Sequence, residues 1–151
     1  MIYWFTGQPG HGKTVLAKKL IKDLNKIYGE TNVFHIDGDD IRDLFSNKDY
    51  SIFGRINNVN IAQKISHYLQ SKNKQIVISL VSPYIDQRED FKKILNKNII
   101  EIYVHTDKES IKESFKSIAY IKPNSNYIDI DNTNMTEEES YQKLKQILFY
   151  E

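Results

Sequence analysis

Apolar and polar positions follow two different periods along the chain. Ile2 to Thr6 is a short aromatic and β-branched run that stops at Gly7, the pattern of a buried strand. Val15, Leu16, Leu20, Ile21, Leu24 and Ile27 then recur at helical spacing. Tyr28-Gly29 predicts the end of that helix, with glycine as its left-handed cap. Val33 to Ile36 reads as a second strand, cut off by the polar "DGDD". A helix from Ile56 to Ser71 places Ile61, Ile65, Tyr68 and Leu69 on one face. Gln75 to Ser82 is apolar almost throughout, as in a strand covered on both faces, and Pro83 ends it. Phe91, Ile94 and Leu95 mark another helix, Ile99 to Val104 a fourth strand, and Lys108 to Ile118 a further helix. Tyr127 to Ile130 is a short fifth strand. The last helix opens on a capping box, Thr136 with Glu139, and carries Tyr141, Leu144, Ile147 and Leu148 as its stripe.

Strands alternating with helices of this length imply a parallel sheet with helices on both faces. No repeat, low-complexity tract or linker interrupts residues 1–151, so a single domain is expected. Composition narrows the classes further. With 40% hydrophobic and 27% charged residues the chain has a globular composition. Its 21 basic and 20 acidic residues leave a net charge of +1, without the basic footprint of a nucleic-acid binder. The absence of cysteine excludes disulfides, thiolate zinc sites and a cysteine nucleophile. No run approaches membrane-spanning length and no signal-like start is visible, so no membrane partner and a cytoplasmic location are expected.

The chemistry is concentrated where the first strand ends. Gly7-Gln8-Pro9-Gly10-His11-Gly12-Lys13-Thr14 matches the phosphate-binding loop G-x-x-x-x-G-K-[ST] in full, between a strand and a helix. Glycines let backbone N–H groups approach phosphate oxygens, and the helix that follows presents its positive end to the same anion. Lys13 suits the β- and γ-phosphates, Thr14 suits Mg²⁺, and Val15 completes the nucleotide-binding stretch.

At the end of the second strand Asp37 and Asp39 flank Gly38. Carboxylates there can hold a metal or accept a proton from an attacking hydroxyl, while Asp39 or Asp40 could instead cap a helix beginning near Ile41. Arg42, one turn on, suits an anionic substrate group or a surface salt bridge. The histidines, His11, His35, His67 and His105, lack metal-ligand spacing; apart from His11 in the loop they read as packing or surface residues.

On these motifs the chain resembles the adenylylsulfate kinases. Asp37-Gly38-Asp39-Asp40-Ile41-Arg42 is similar to that family's D-G-D-N-[VI]-R, "YSIFGRINNVNI" keeps Ser51, Arg55 and Asn58 of its next motif, and Val81-Ser82-Pro83-Tyr84 with Arg88 resembles its I-S-P-Y-R-x-D-R. "EIYVHT" and "YIDIDNTNMTEEES" resemble its fourth strand and its last strand-helix unit. The resemblance implies a three-layer P-loop fold, strand order 2-3-1-4-5, and transfer of the ATP γ-phosphate to the ribose 3′-hydroxyl of adenylylsulfate in sulfate assimilation. It implies Lys13, Asp37, Asp39 and Ser82 as catalytic residues and Thr14 with Asp37 at Mg²⁺. Asp39, Arg42, Arg55, Asn58, Val81, Ser82 and Arg88 would then serve the acceptor, and the protein could form a homodimer.

Three departures bear on the acceptor. Gly54, Asn57 and Asn60 replace an Asp, a Glu and an Arg of the family pattern, and Ile85 replaces an Arg after Pro-Tyr. The family's long basic lid is missing or vestigial here, because "ESFKSIAYIKPNSNYIDI" runs almost directly into the fifth strand. Kinases of another nucleotide conjugate such as a cytidine diphosphate-type compound, a polynucleotide 5′-hydroxyl kinase and a non-catalytic nucleotide-binding regulator are the alternatives.

Overall fold

The computed structural model describes residues 1–108 and 120–151. The helix expected from Lys108 to Ile118 lies, beyond Lys108, outside the described residues, as do residues 113–119 of the segment that runs into the fifth strand. Five strands, β1 (Ile2–Thr6), β2 (Val33–Asp37), β3 (Gln75–Ser79), β4 (Ile99–His105) and β5 (Tyr127–Asp131), form one parallel sheet in the order β2-β3-β1-β4-β5. The helices are α1 (Lys13–Tyr28), α2 (Gly38–Leu44), α3 (Ile52–Ser71), α4 (Ile85–Leu95) and α5 (Glu137–Tyr150). Three layers in the expected strand order result.

Alternation along β1 divides the core. Tyr3 and Phe5 face one side, packed with Leu16, Leu20 and Leu24 of α1 and Leu144 of α5. Ile2 and Trp4 face the other, against Val59 and Ala62 of α3 and Phe91 and Leu95 of α4. Each leucine so buried stabilises the fold by about 1.5–3 kcal/mol. Because β1 is covered on both faces and flanked on both edges, the loop at its C-terminal end hangs from the most constrained strand of the sheet.

Several boundaries differ from the sequence expectation. β3 stops at Ser79, not Ser82, opposite Asp37, the last residue of β2, and Phe5, the last but one of β1. The apolar Leu80-Val81 continues as non-regular chain, and Leu80 is buried although no longer in the ladder. α3 begins at Ile52, four residues before the periodic run, capped by Ser51 Oγ accepting from Gly54 N at 3.4 Å. Its first turn exposes Ile52 and Phe53, so burial leaves no periodic signal there. Tyr68, Ile94 and Ile27, expected on apolar stripes, are exposed.

Candidate active site

The phosphate loop turns out of β1 at Gly7, whose φ of 138° lies in the region that favours glycine. A Cβ at that position would collide with the Val104 carbonyl oxygen of β4. The loop closes at Gly12, with φ 98°, directly before α1. Gly10 is exposed and Gln8 and Pro9 are half-buried, whereas His11 lies beneath the loop. Lys13 is buried in the loop and its Nζ donates to the Gln8 carbonyl at 2.7 Å, so the lysine folds back over the loop's mouth.

Beside the loop, a set of oxygens converges on Asp37. Thr14 Oγ1 donates to Asp37 Oδ1 at 3.2 Å, and Ser79 Oγ donates to the same oxygen at 2.6 Å. Asp37 Oδ2 accepts the Asp39 backbone N–H at 3.3 Å, which makes Asp37 the N-cap of α2. Asp39 and Asp40 do not cap the helix, contrary to one sequence reading; both lie exposed in its first turn. His35 Nε2 lies 2.7 Å from Ser79 Oγ, and burial holds this imidazole below its ordinary value despite the opposing pull of Asp37 and Asp40. Thr14 Oγ1 and the Asp37 carboxylate form an all-oxygen pair, the donor chemistry that suits Mg²⁺, which keeps waters and phosphate oxygens as its other ligands.

The acceptor-side residues fall into two groups. Arg42 follows Asp39 by one turn; its Nη1 donates to the carbonyls of Asn47 at 3.1 Å and Asp49 at 3.0 Å, and its guanidinium lies 4.0 Å over the Tyr50 ring. Arg55 Nε donates to the Tyr50 carbonyl at 2.8 Å. Gly54 lets this segment cross α3, since a Cβ there would collide with the Asp49 carbonyl oxygen. Asn58 is buried beside them, donates to the Gly38 carbonyl at 3.4 Å and leaves its Oδ1 without a partner. Arg42 and Arg55 thus brace the turn before α3 through the carbonyls of residues 47, 49 and 50, and Asn58 reaches the start of α2.

Arg88 does not join that surface. It is fully buried, with Nε 2.9 Å from Glu101 Oε1, an ion pair between two side chains shielded from water. Its Nη1 donates to the Ser82 carbonyl at 2.6 Å and its Nη2 to the Ile121 carbonyl. Lys92 Nζ closes on Glu101 Oε2 at 2.8 Å, and Thr6 Oγ1 donates to Oε1 at 3.1 Å. The expected contact between Arg88 and an acceptor is thus corrected: its donors hold the chain behind the site. Ser82 has a left-handed backbone, φ 47°, and its buried Oγ accepts from Trp4 Nε1 at 3.2 Å. Among the described residues that hydroxyl touches no base, and a nucleophilic role has no geometric support. Val81 lends its carbonyl to Gly7 N at 3.4 Å.

Across the loop from Asp37 lies a pocket of about 240 Å³ lined by Val15, Thr106, Lys108, Asn132 and Met135 beside the loop glycines. Asn132 Nδ2 donates to the His11 carbonyl at 2.8 Å and ties the turn after β5 to the loop. Thr106, Asn132 and Met135 lie in stretches the sequence reading quoted but were given no site role there, although all follow the C-terminal ends of β4 and β5, where open α/β sheets bind ligands.

Comparison with known proteins decides the family. Residues 1–134 match the adenylylsulphate kinase family. The chain belongs to it. A relative within the family is the adenylyl-sulfate kinase of Buchnera aphidicola subsp. Schizaphis graminum, 32% identical over 108 residues, which are 70% of this chain and 50% of that protein. The chain thus spans about half the length of that relative. The cytidine diphosphoramidate kinase of Campylobacter jejuni is 27% identical over 128 residues, covering 85% of this chain and 74% of its own. Among solved structures, the Mycobacterium tuberculosis adenylylsulfate kinase in complex with AMPPNP and adenylylsulfate superposes with a TM-score of 0.76 at 18% identity, over 97% of this chain and 96% of that one. The sheet, its order and its helices are those of this kinase fold.

Proposed function

We propose that this chain is an ATP-dependent phosphotransferase whose acceptor is a hydroxyl of a small anionic nucleotide, with adenylylsulfate as the leading acceptor. The observation that carries the reading is the convergence, at one end of β1, of the loop, Lys13 and the Thr14–Asp37 pair. On this reading the pocket of Val15, Thr106, Asn132 and Met135 takes the base of ATP, and the loop N–H groups and Lys13 hold its phosphates. Thr14 and Asp37 would hold Mg²⁺, which when bound neutralises charge on the β- and γ-phosphates. Asp39, exposed beside them, takes the proton of the acceptor hydroxyl as its oxygen attacks the γ-phosphorus and the bond to the β-phosphate oxygen breaks. The contribution of the protein is mostly positioning and charge placement.

A cytidine diphosphate-type conjugate is the second reading. The Campylobacter kinase named for such an acceptor is 27% identical over 85% of this chain. The chain has three arginines, and the burial of Arg88 leaves Arg42 and Arg55 for the acceptor's anionic group. Ile85 in place of a further cation, together with the shortened segment before β5, points the same way. A pocket poorer in cations holds a phosphosulfate less firmly.

ADP release measured with adenylylsulfate, cytidine diphosphoramidate, a 5′-hydroxyl oligonucleotide and no acceptor separates these readings. We expect a nucleotide acceptor to raise ADP release well above the background, with kcat/KM for adenylylsulfate below about 10⁶ M⁻¹s⁻¹. Preference for the cytidine compound would reassign the acceptor and keep the reaction. ADP release that no acceptor stimulates would instead favour a nucleotide-binding regulator.

A further inference from the structure

His35 and Ser79 lie next to the acidic corner, yet neither carries a role in the reading above. They occupy neighbouring parallel strands whose register pairs Asp37 with Ser79 and His35 with Val77. His35 and Asp37, two residues apart on one strand, share a face and both reach Ser79. Ser79 is buried, and the imidazole beside it is half-buried, so water competes little for their hydrogen bonds.

The proton count fixes the direction of the chain. A serine hydroxyl carries one hydrogen, and Ser79 gives it to Asp37 Oδ1 at 2.6 Å. The contact of 2.7 Å between Ser79 Oγ and His35 Nε2 must then be donated by the imidazole, which places a proton on Nε2. Thr14 also donates to Oδ1, and because a hydroxyl keeps its lone pairs while donating, its oxygen can serve a cation without giving up that bond. The donation from Ser79, backed by His35, is a second hydrogen bond to the same carboxylate oxygen. The Asp39 N–H holds the other carboxylate oxygen.

We propose that His35, acting through Ser79, is a positioning residue that fixes the Asp37 carboxylate for the metal-bound nucleotide. The proposal rests on the reading of Asp37 as a metal partner given above. Without a donor at position 35 the Ser79 hydroxyl loses one of the two partners that orient it, and the orientation of Asp37 depends more on Thr14 and on its cap bond. Groups that orient a metal-binding side chain commonly alter metal affinity by about 10- to 100-fold when removed.

The test uses the full chain and its affinity for ADP, measured by calorimetry across a series of Mg²⁺ concentrations and in EDTA. His35→Phe keeps an aromatic ring and removes the donor; Ser79→Ala removes the link; His35→Gln restores an N–H. We expect His35→Phe and Ser79→Ala each to raise the Mg²⁺ concentration needed for half-maximal tightening by about tenfold, with affinity in EDTA unchanged within about twofold. His35→Gln should recover most of that loss, and the double variant should be no worse than the poorer single one. Should His35→Phe fail to fold, Ser79→Ala carries the same test. An unchanged Mg²⁺ dependence overturns the proposal, as does an equal loss with and without Mg²⁺, which marks a merely structural effect. Asp37→Asn distinguishes the two levels. If it shifts the Mg²⁺ dependence and the other variants do not, the relay alone is wrong. If Asp37→Asn shifts nothing, the metal reading fails and the proposal falls with it.

Discussion

Lys13 illustrates how much a single side chain carries. Its ammonium is held by the Gln8 carbonyl across the loop, and its position is fixed by the turn from Gly12 into α1. Lys13→Ala should lower turnover more than a hundredfold, a loss of about 3 kcal/mol in transition-state stabilisation, while the far-ultraviolet spectrum stays that of the folded chain. A loss below tenfold in a working assay would remove the loop from the catalytic account. Asp39 offers a cleaner separation of charge from stability. Since Asp37 caps α2 and Asp39 lies exposed, Asp39→Asn should leave the urea midpoint in place and lower kcat by about 10²–10⁴. The loop was legible from the sequence because its spacing is local and its residues have few other uses. Arg88 was not, because what removes it from the surface is Glu101, on another element and across the sheet. His35 was passed over for the same reason: its meaning comes from Ser79 on the neighbouring strand.

Elements were legible wherever the signal lay within one turn of the chain. The capping box of α5 was visible as Thr136 and Glu139, and both halves are present, with Thr136 Oγ1 accepting from Glu139 N at 3.2 Å and Glu139 Oε2 accepting from Thr136 N at 2.7 Å. Thr136→Ala should therefore destabilise the protein by about 0.5–2 kcal/mol in urea unfolding, with nucleotide affinity unchanged. The strand order needed only the alternation of runs and the family likeness. Ends of elements were harder. β3 stops opposite the last residue of β2, and α3 starts at a serine cap ahead of residues that face water. Neither limit is a property of the segment itself.

At the scale of the molecule, α1 and α5 are tied by one carboxylate. Asp23 receives Lys145 Nζ at 2.9 Å and the Tyr141 hydroxyl at 2.8 Å on one oxygen and Lys26 Nζ at 3.0 Å on the other. The Lys145 hydrogen bond, ahead of those from Tyr141 and Lys26, holds the Asp23 carboxyl well below the usual carboxylate range. A carboxylate whose folded value is depressed adds stability above its unfolded value of about 3.9, and that addition is lost as pH falls through the folded value. Urea midpoints taken from about pH 6 to about pH 2 should show wild type above Asp23→Asn at the upper end and the gap narrowing on acidification. A gap that stays constant would mean that Asp23 acts through shape and not through charge.

The middle position of β1 has a consequence for how a chain of this family can change its preferences. Asp39, Arg42 and Asn58 stand on the β3–β2 flank of the loop, and Thr106, Asn132 and Met135 on the β4–β5 flank. On the proposed reading, the group that gives the phosphate and the group that takes it are gripped by stretches of chain that do not overlap in sequence. New preferences can then be written into one stretch while the other is inherited intact. Two relatives named for different acceptors, both alignable with this chain, are what such an interchangeable half would leave behind.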